Sequence, residues 1–248
     1  SRDHTERMLK YNTQTIRIKK AKQNLIEIKG KRSLNPINVS IPGDPSSASF
    51  YAALCLLSKN SKVILKQVHI NPTRIGFFNI IKNHKGKITF KNKKNQSNEI
   101  VADIHVKSSK IRALNVNEKF FVSCQDEFPL MFAIASLLPG TSTFKGIEDL
   151  ANKESNRIKE MQKVLNQIGI KSFNNKDGIK IFGGKVTKKN KTINVPNLGD
   201  HRICMSTFVL ALLTGIKTNI KSFETVYTSS PSFLKIMKVL GAKYEIKK

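Results

Sequence analysis

Three stretches of this chain share one hydrophobic pattern: an acidic residue followed by an apolar, alanine-bearing run. They read GDPSSASFYAALCLL from Gly43, QDEFPLMFAIASLL from Gln125 and GDHRICMSTFVLALL from Gly199, with the acids at Asp44, Asp126 and Asp200. A second helix start follows each acid after thirty, thirty-one and thirty residues, at Arg74, Arg157 and Ser230. Each second helix runs into a Gly and then an alternating strand, in the phrases NIIKNHKGKITF, KVLNQIGIKSF and KIMKVLGAKYEI. Repetition at fixed spacing predicts three copies of one strand-and-helix unit. Two helices and several strands per copy give a compact α/β or α+β domain.

The same patterning sets the expected elements. Residues 1 to about 40 predict a short helix from Thr5 to Tyr11 and alternating strands in TQTIRIKK and NLIEIKG. Pro36 and Pro42 bracket INVSI, and the Pro-Gly-Asp turn at 42–44 introduces the first helix, so the best boundary lies there. Unit one predicts helix 46–58, strand SKVILKQVHI, helix 72–83, strand KITFK, a polar loop in NKKNQSNE and a further alternating strand. Unit two predicts helix 127–138, a turn and strand in PGTSTF, helix 153–167 and strands around IKSF and GIKIFGG. Unit three predicts helix 201–213, strand TNIKSFE, helix 231–240 and a closing strand AKYEI. The run KVTKKNKT at 185–192 reads as a solvated loop.

Composition narrows the class. With 248 residues, 39% of them hydrophobic, the chain can bury a core in one or two domains. Cys55, Cys124 and Cys204 lie in apolar surroundings without metal-ligand spacing, which suits free thiols in a reducing compartment. No apolar run is long enough to span a membrane and no signal peptide opens the sequence, so a cytoplasmic location is expected. The chain begins at Ser1 in a charged phrase, SRDHTERML, that reads like the middle of an element, and a fragment is expected. The net charge of +27 points to anionic partners, but the lysines are dispersed and aromatic residues are only 7%. Nucleic-acid modules concentrate charge on one face and interleave stacking aromatics. The excess is therefore read as a compositional habit that attracts small anions.

Candidate chemistry sits in the second and third copies. Asp126 and Glu127 stand at a helix start, where acids cap and oppose the positive end of the dipole. KESNR at 153–157 is expected to open the next helix, with Lys153 and Arg157 one turn apart on one face beside Glu154. Such a face would hold a phosphate or carboxylate next to a carboxyl group able to move a proton. The competing reading is a solvated helix with ordinary intrahelical pairs. Asp200-His201-Arg202 precedes a strongly apolar helix, which sets a guanidinium at a helix start beside the core; capping plus an ion pair is the alternative. His201 alone reads as structural.

In order and interval, the phrases SRDHTERML, IPGDPSSASF, NPTRIG, DEFP, KESNRI and GDHRICMS closely resemble the C-terminal part of the 5-enolpyruvylshikimate-3-phosphate synthase family. The resemblance covers essentially the whole chain. It implies transfer of the enolpyruvyl group from phosphoenolpyruvate to the 5-hydroxyl of shikimate 3-phosphate, with release of phosphate, in aromatic amino acid biosynthesis. It implies two lobes of three βαβαββ units about a pseudo-threefold axis, with the active site between the lobes. Residues 43–248 would then be the complete C-terminal lobe, with units at about 43–124, 125–198 and 199–248. Residues 1–42 would be the tail of the N-terminal lobe, and the chain would be inactive without the rest of that lobe. A monomer needing no cofactor and no metal is implied.

By the same resemblance Asp126 matches the acid that takes the hydroxyl proton, and Glu154 the carboxyl group that exchanges a proton with the methylene carbon. The chemistry needs two carboxyl groups in different environments. Lys153 matches a residue contacting both substrates, Arg157 and Arg202 the guanidiniums that grip phosphoenolpyruvate, and Ser1 and Arg2 contacts to shikimate 3-phosphate. Asp126 and Lys153 also face that second substrate. Ala151 and Asn156 depart from the usual Arg and Asp, which bears on the orientation of the site more than on its chemistry; Ser230 stands in place of Phe in a C-terminal phrase to which no catalytic role is assigned. The alternatives are a UDP-N-acetylglucosamine enolpyruvyltransferase of the same fold, a basic nucleic-acid-binding protein on a related repeat, and a non-catalytic remnant.

Overall fold

The computed structural model describes residues 2–12, 16–19, 25–30, 33–176, 178–184, 186 and 192–247. Helix α1 (His4–Asn12) is followed by an antiparallel pair, β1 (Ile16–Lys19) and β2 (Leu25–Ile28), with Ile16 opposite Ile28. The first repeat then runs α2 (Pro45–Leu57), β3 (Lys62–His69), α3 (Gly76–Asn83), β4 (Lys87–Gln96) and β5 (Glu99–Lys107). The second comprises β6 (Asn115–Val116), α4 (Phe121–Cys124), α5 (Phe128–Leu137), β7 (Gly140–Lys145), α6 (Arg157–Gln167), β8 (Lys171–Asn175) and β9 (Gly178–Gly183). The third has β10 (Ile193–Val195), α7 (His201–Thr214), β11 (Thr218–Ile220), α8 (Thr225–Ser229) and α9 (Phe233–Val239).

The pairing of strands shows the repeat more clearly than the sequence does. Gly43 makes a parallel bridge to Val68, β6 pairs parallel with β7, and β10 pairs parallel with β11. Each unit therefore opens with a parallel contact that needs a crossover, and α2, α5 or α7 supplies it. In the first two units an antiparallel hairpin follows, its last strand lying between the other two in the orders β3-β5-β4 and β7-β9-β8. The sheet of the second unit thus begins at Asn115 and that of the third at Ile193, ahead of the helix-opening acids.

Several expected elements differ. The closing strand AKYEI does not form, since no described strand runs beside it to complete a ladder; Ala242 packs on the core and the Tyr244 hydroxyl reaches Leu234 O at 3.3 Å. The polar loop NKKNQSNE is instead the end of a hairpin: β4 continues to Gln96, and Ser97 and Asn98 turn the chain at φ 51° and 64°. Exposed strand faces accept polar residues, so backbone pairing prevails over hydropathy there. Helix α3 begins at Gly76 rather than 72, because the Asn71 side chain accepts from Thr73 N at 2.9 Å and holds a turn. TNIKSFE is strand only to Ile220; the helix expected at 231–240 is present as α9, and an unexpected short helix, α8, precedes it, the two parted at Ser230 and Pro231. Ser1 and most of the 185–192 run lie outside the described residues.

The three apolar runs form α2, α5 and α7, which pack on one another at the centre of the molecule. Phe50 and Leu56, Leu130 and Phe132, and Ile203 and Leu210 are each almost wholly buried. Helices apolar on nearly every side belong in a core surrounded by other elements. Small side chains such as Ala52, Ala53, Ala133 and Ala135 let these helices approach closely. Among the described residues no single helix is long and apolar enough to cross a membrane.

Candidate active site

Two of the three helix-opening acids are caps. Asp44 Oδ2 accepts from Ser47 N at 2.7 Å and Asp200 Oδ1 from Arg202 N at 2.9 Å, each satisfying a free donor of the first turn. Asp126 differs, and the expected capping by the Asp126–Glu127 pair is corrected: Glu127 occupies the N-cap position of α5 without a side-chain cap, and Pro129 stands in the first turn. A proline there removes one of the donors a cap would serve. The Asp126 carboxylate is left free for other partners.

Those partners are arginines, and they explain the thirty-residue spacing. Arg74 Nη2 lies 2.8 Å from Asp44 Oδ1, and Arg157 Nη1 lies 3.6 Å from Asp126 Oδ1, so in each of the first two units the later cation returns to the earlier acid. The third unit has Ser230 at that place, and Asp200 is held instead by Arg157 of the second unit, Nε to Oδ2 at 3.0 Å. Asp200 also accepts from Ser155 Oγ at 2.8 Å. Arg157 is 1% exposed and bonds Glu154 with its other terminus, so one buried guanidinium links three carboxylates.

Arg2 Nη2 donates to Asp126 Oδ2 at 2.7 Å, and Arg202 Nη2 stands 3.9 Å from the same oxygen. Lys153 Nζ donates to Gln125 Oε1 at 3.0 Å, next in sequence to Asp126, and lies 3.6 Å from Asp149. Glu154 is half-exposed, with His201 Nδ1 4.0 Å from its Oε1. The structure thus gathers Arg2, Asp126, Lys153, Glu154, Arg157 and Arg202, while Ser1 lies outside the described residues. One local expectation is corrected: Lys153 and Arg157 do not share a helical face. Asn156 caps α6 by accepting from Lys159 N at 3.0 Å, so Lys153 and Glu154 precede the helix on extended and turn backbone. Their approach to Arg157 comes from that turn.

Burial pushes the Asp126 carboxyl upward, but Arg202, Arg2 and Arg157 outweigh it and hold it below the usual carboxylate range. Burial likewise pushes the Asp200 carboxyl upward, and Arg157 and Ser155 outweigh it and hold it below the usual range. Glu127 goes the other way: burial lifts it to about 7 despite Arg202 and a bond to Ser46. Burial, then Arg202, lower His201, so it stands neutral beside Glu154. Two adjacent carboxyl groups, Asp126 ionised and Glu127 able to keep a proton, are therefore pushed apart by their surroundings.

Each of the three guanidiniums on Asp126 retains a buried nitrogen without a hydrogen-bond partner: Arg2 Nε, Arg157 Nη1 and Arg202 Nε. Convergent unpaired N–H donors suit a carboxylate or a phosphate. The starts of α5 and α7 meet here, and Ser46 from the start of α2 bonds Glu127, so three positive helix ends add to the same field. The residues that sequence reasoning missed are Gln125, Glu127 as a buried proton holder, Ser155, and Asp200 as the partner of Arg157. Their signals are adjacency to Asp126 in QDE and to Glu154 in KES, but each role depends on contact across the fold.

This chain of mixed helix and strand, with three crossover units and arginines gathered at their helix starts, has the fold of the enolpyruvyl transferases. The enolpyruvyl transferase NikO of Streptomyces tendae superposes with a TM-score of 0.67 over 92% of this chain and half of its own, at 11% identity, which bears on fold alone. More specifically, the chain belongs to the EPSP synthase (3-phosphoshikimate 1-carboxyvinyltransferase) family, whose model matches residues 1–237. An EPSP synthase structure from Acinetobacter baumannii superposes with a TM-score of 0.86 at 32% identity, over all of this chain and 56% of that one. The 3-phosphoshikimate 1-carboxyvinyltransferase of Zymomonas mobilis is 35% identical over 250 residues, covering 99% of this chain and 55% of its own length. That of Aquifex aeolicus is 36% identical over 243 residues, 97% and 56% of the respective chains. The chain spans about half the length of the curated relatives it matches.

Proposed function

We propose that these residues form the phosphoenolpyruvate-holding part of an enzyme that transfers the enolpyruvyl group to the 5-hydroxyl of shikimate 3-phosphate and releases phosphate. The observation that carries this reading is the set of three guanidiniums around Asp126, each with an unpaired buried nitrogen. Arg157 and Arg202 take the carboxylate and phosphate of phosphoenolpyruvate, and Arg2, with Ser1 and Lys153, the phosphorylated cosubstrate.

The reaction must remove a proton from the hydroxyl as its oxygen bonds to the enol carbon, and deliver one to the methylene carbon. Loss of phosphate then restores the alkene as that methyl group returns a proton. Asp126, kept ionised by its arginines, receives the hydroxyl proton. Anionic substrates that draw those arginines away raise its basicity when it is needed. Glu154, half-exposed and joined to Arg157, exchanges the proton with carbon. Residues 43–248 form one lobe of three units and residues 1–42 belong to a second lobe, with the two substrates bound between them.

Phosphate release tests this directly. The 248 residues alone give no turnover with both substrates; supplied with the remaining half of a relative, they do. In that active form Glu154→Gln abolishes release with both substrates still bound. Near-normal release by Glu154→Gln would remove Glu154 from the chemistry, and release by the 248 residues alone would remove the need for a second lobe.

A further inference from the structure

Away from the Asp126 cluster, two imidazoles and a carboxylate meet. His4 opens α1, His69 ends β3 and Glu99 opens β5, so three separate elements contribute. His4 Nδ1 is 2.7 Å from Glu99 Oε1, and His69 Nε2 is 3.0 Å from Glu99 Oε2, a charge contact without hydrogen-bond alignment. The two rings meet edge-on with centroids 4.7 Å apart. One ligand atom from each residue lies within 4.8 Å of the others.

This cluster is under-satisfied as it stands. His69 is 6% exposed, and its Nε2, the Nε2 of His4 and the Oε2 of Glu99 are buried without hydrogen-bond partners. The three adjoin, His69 Nε2 and Glu99 Oε2 standing 3.0 Å apart, and buried polar atoms without hydrogen bonds are costly to a fold. The cationic neighbours are answered elsewhere: Arg7 Nε is 3.7 Å from Glu99 Oε2 but 2.7 Å from Asp3 Oδ2, and Arg74, which also acts on His69, is paired with Asp44.

We propose that His4, His69 and Glu99 form a site for a divalent cation of the zinc class, with two imidazole nitrogens, one carboxylate oxygen and a water as ligands. Two nitrogens with one oxygen suit zinc, cobalt or nickel and not magnesium or calcium. Bonds of about 2.0–2.1 Å in a tetrahedral shell hold ligand atoms about 3.4 Å apart, so the ligand atoms, here within 4.8 Å of one another, must draw together by side-chain rotation on binding. His4 is one-third exposed and leaves a way in for water. The site has a structural consequence. Helix α1 buries none of its residues and is held by polar contacts, so a metal would staple its first turn to β3 and β5, two residues from Arg2.

The purified chain, stripped with a chelator, is titrated with cobalt(II) and back-titrated with zinc(II). The expected result is one cobalt per chain, the strong visible bands of a four-coordinate ion, their loss on adding zinc, and a higher melting temperature with either metal. His69→Ala and Glu99→Gln each weaken binding by about a hundredfold or more, with unchanged far-ultraviolet circular dichroism. Should His69→Ala unfold, the near-isosteric Glu99→Gln decides. No four-coordinate bands in the wild-type chain, or equal affinity in the folded variants, overturns the site.

Discussion

At the scale of single residues the candidate active-site cluster is dominated by Arg157. A guanidinium 1% exposed, bound to an Asp200 side chain with no exposure, is stable only while both partners stay. Arg157→Met should therefore cost about 3–5 kcal/mol of stability, because it strands Asp200; urea unfolding measures this, and a cost below about 1 kcal/mol would show the pair to be solvated. Glu127 gives a pH signature. Its pKa is 4.5 unfolded and about 7 folded, so between those values the unfolded chain releases a proton that the folded chain keeps. Stability from this group is full below pH 4.5 and falls as pH rises through about 7, by up to about 3 kcal/mol. Glu127→Gln should remove that slope, so its melting temperature gains on the wild type more at pH 8 than at pH 5. Equal gains at both would place Glu127 in a more polar setting. Sequence phrases sufficed to pick out Asp126, Glu154, Arg157 and Arg202, since charged residues beside apolar helices are conspicuous. Gln125 and Ser155 were not legible, because an uncharged side chain acquires its role only from the Lys153 or Asp200 that the fold brings to it.

At the scale of elements, local capping decides where the candidate catalytic side chains point. Asn156 stops α6 one residue before Arg157 and leaves Lys153 and Glu154 on irregular backbone. Asn156→Ala should cost about 1 kcal/mol and also lower turnover in the active form, as Glu154 loses its fixed approach; unchanged turnover would separate the cap from the site. Close packing matters equally at α3, where a side-chain carbon on Gly76 would lie 2.2 Å from Ser123 Oγ and 3.0 Å from the Cys124 Cβ. Gly76→Ala should destabilise by about 1–3 kcal/mol, with part of the loss recovered by adding Ser123→Gly. Thermal unfolding of the single and double variants checks this. Element types were largely readable from periodicity, whereas starts and stops were not. The extension of β4 through polar residues rests on pairing with β5, and the absence of strand in AKYEI on the lack of a neighbour, neither of which hydropathy encodes.

At the scale of the whole molecule, the repeat brings three helix starts together. α2, α5 and α7 form the central core, and their N-terminal ends carry Ser46, Asp126 with Glu127, and Arg202 into one neighbourhood. The threefold pattern of the sequence announced this core, and the common spacing of acid and arginine proved to be an ion pair in two units and a cross-unit pair in the third. The net charge of +27 makes the whole molecule attractive to anions. Binding of phosphoenolpyruvate should weaken as salt rises, since screening shortens the reach of exposed lysines, and should keep a salt-resistant part from the buried Arg157. The central claim is that the guanidiniums around Asp126 grip phosphoenolpyruvate, and calorimetric titration of phosphoenolpyruvate into the wild-type and Arg202→Ala chains, each supplied with the remaining half of a relative, tests it most directly. Saturable one-to-one binding that Arg202→Ala weakens by about tenfold or more is the predicted result; equal affinity in the two chains, or no saturable binding to the wild type, would contradict it.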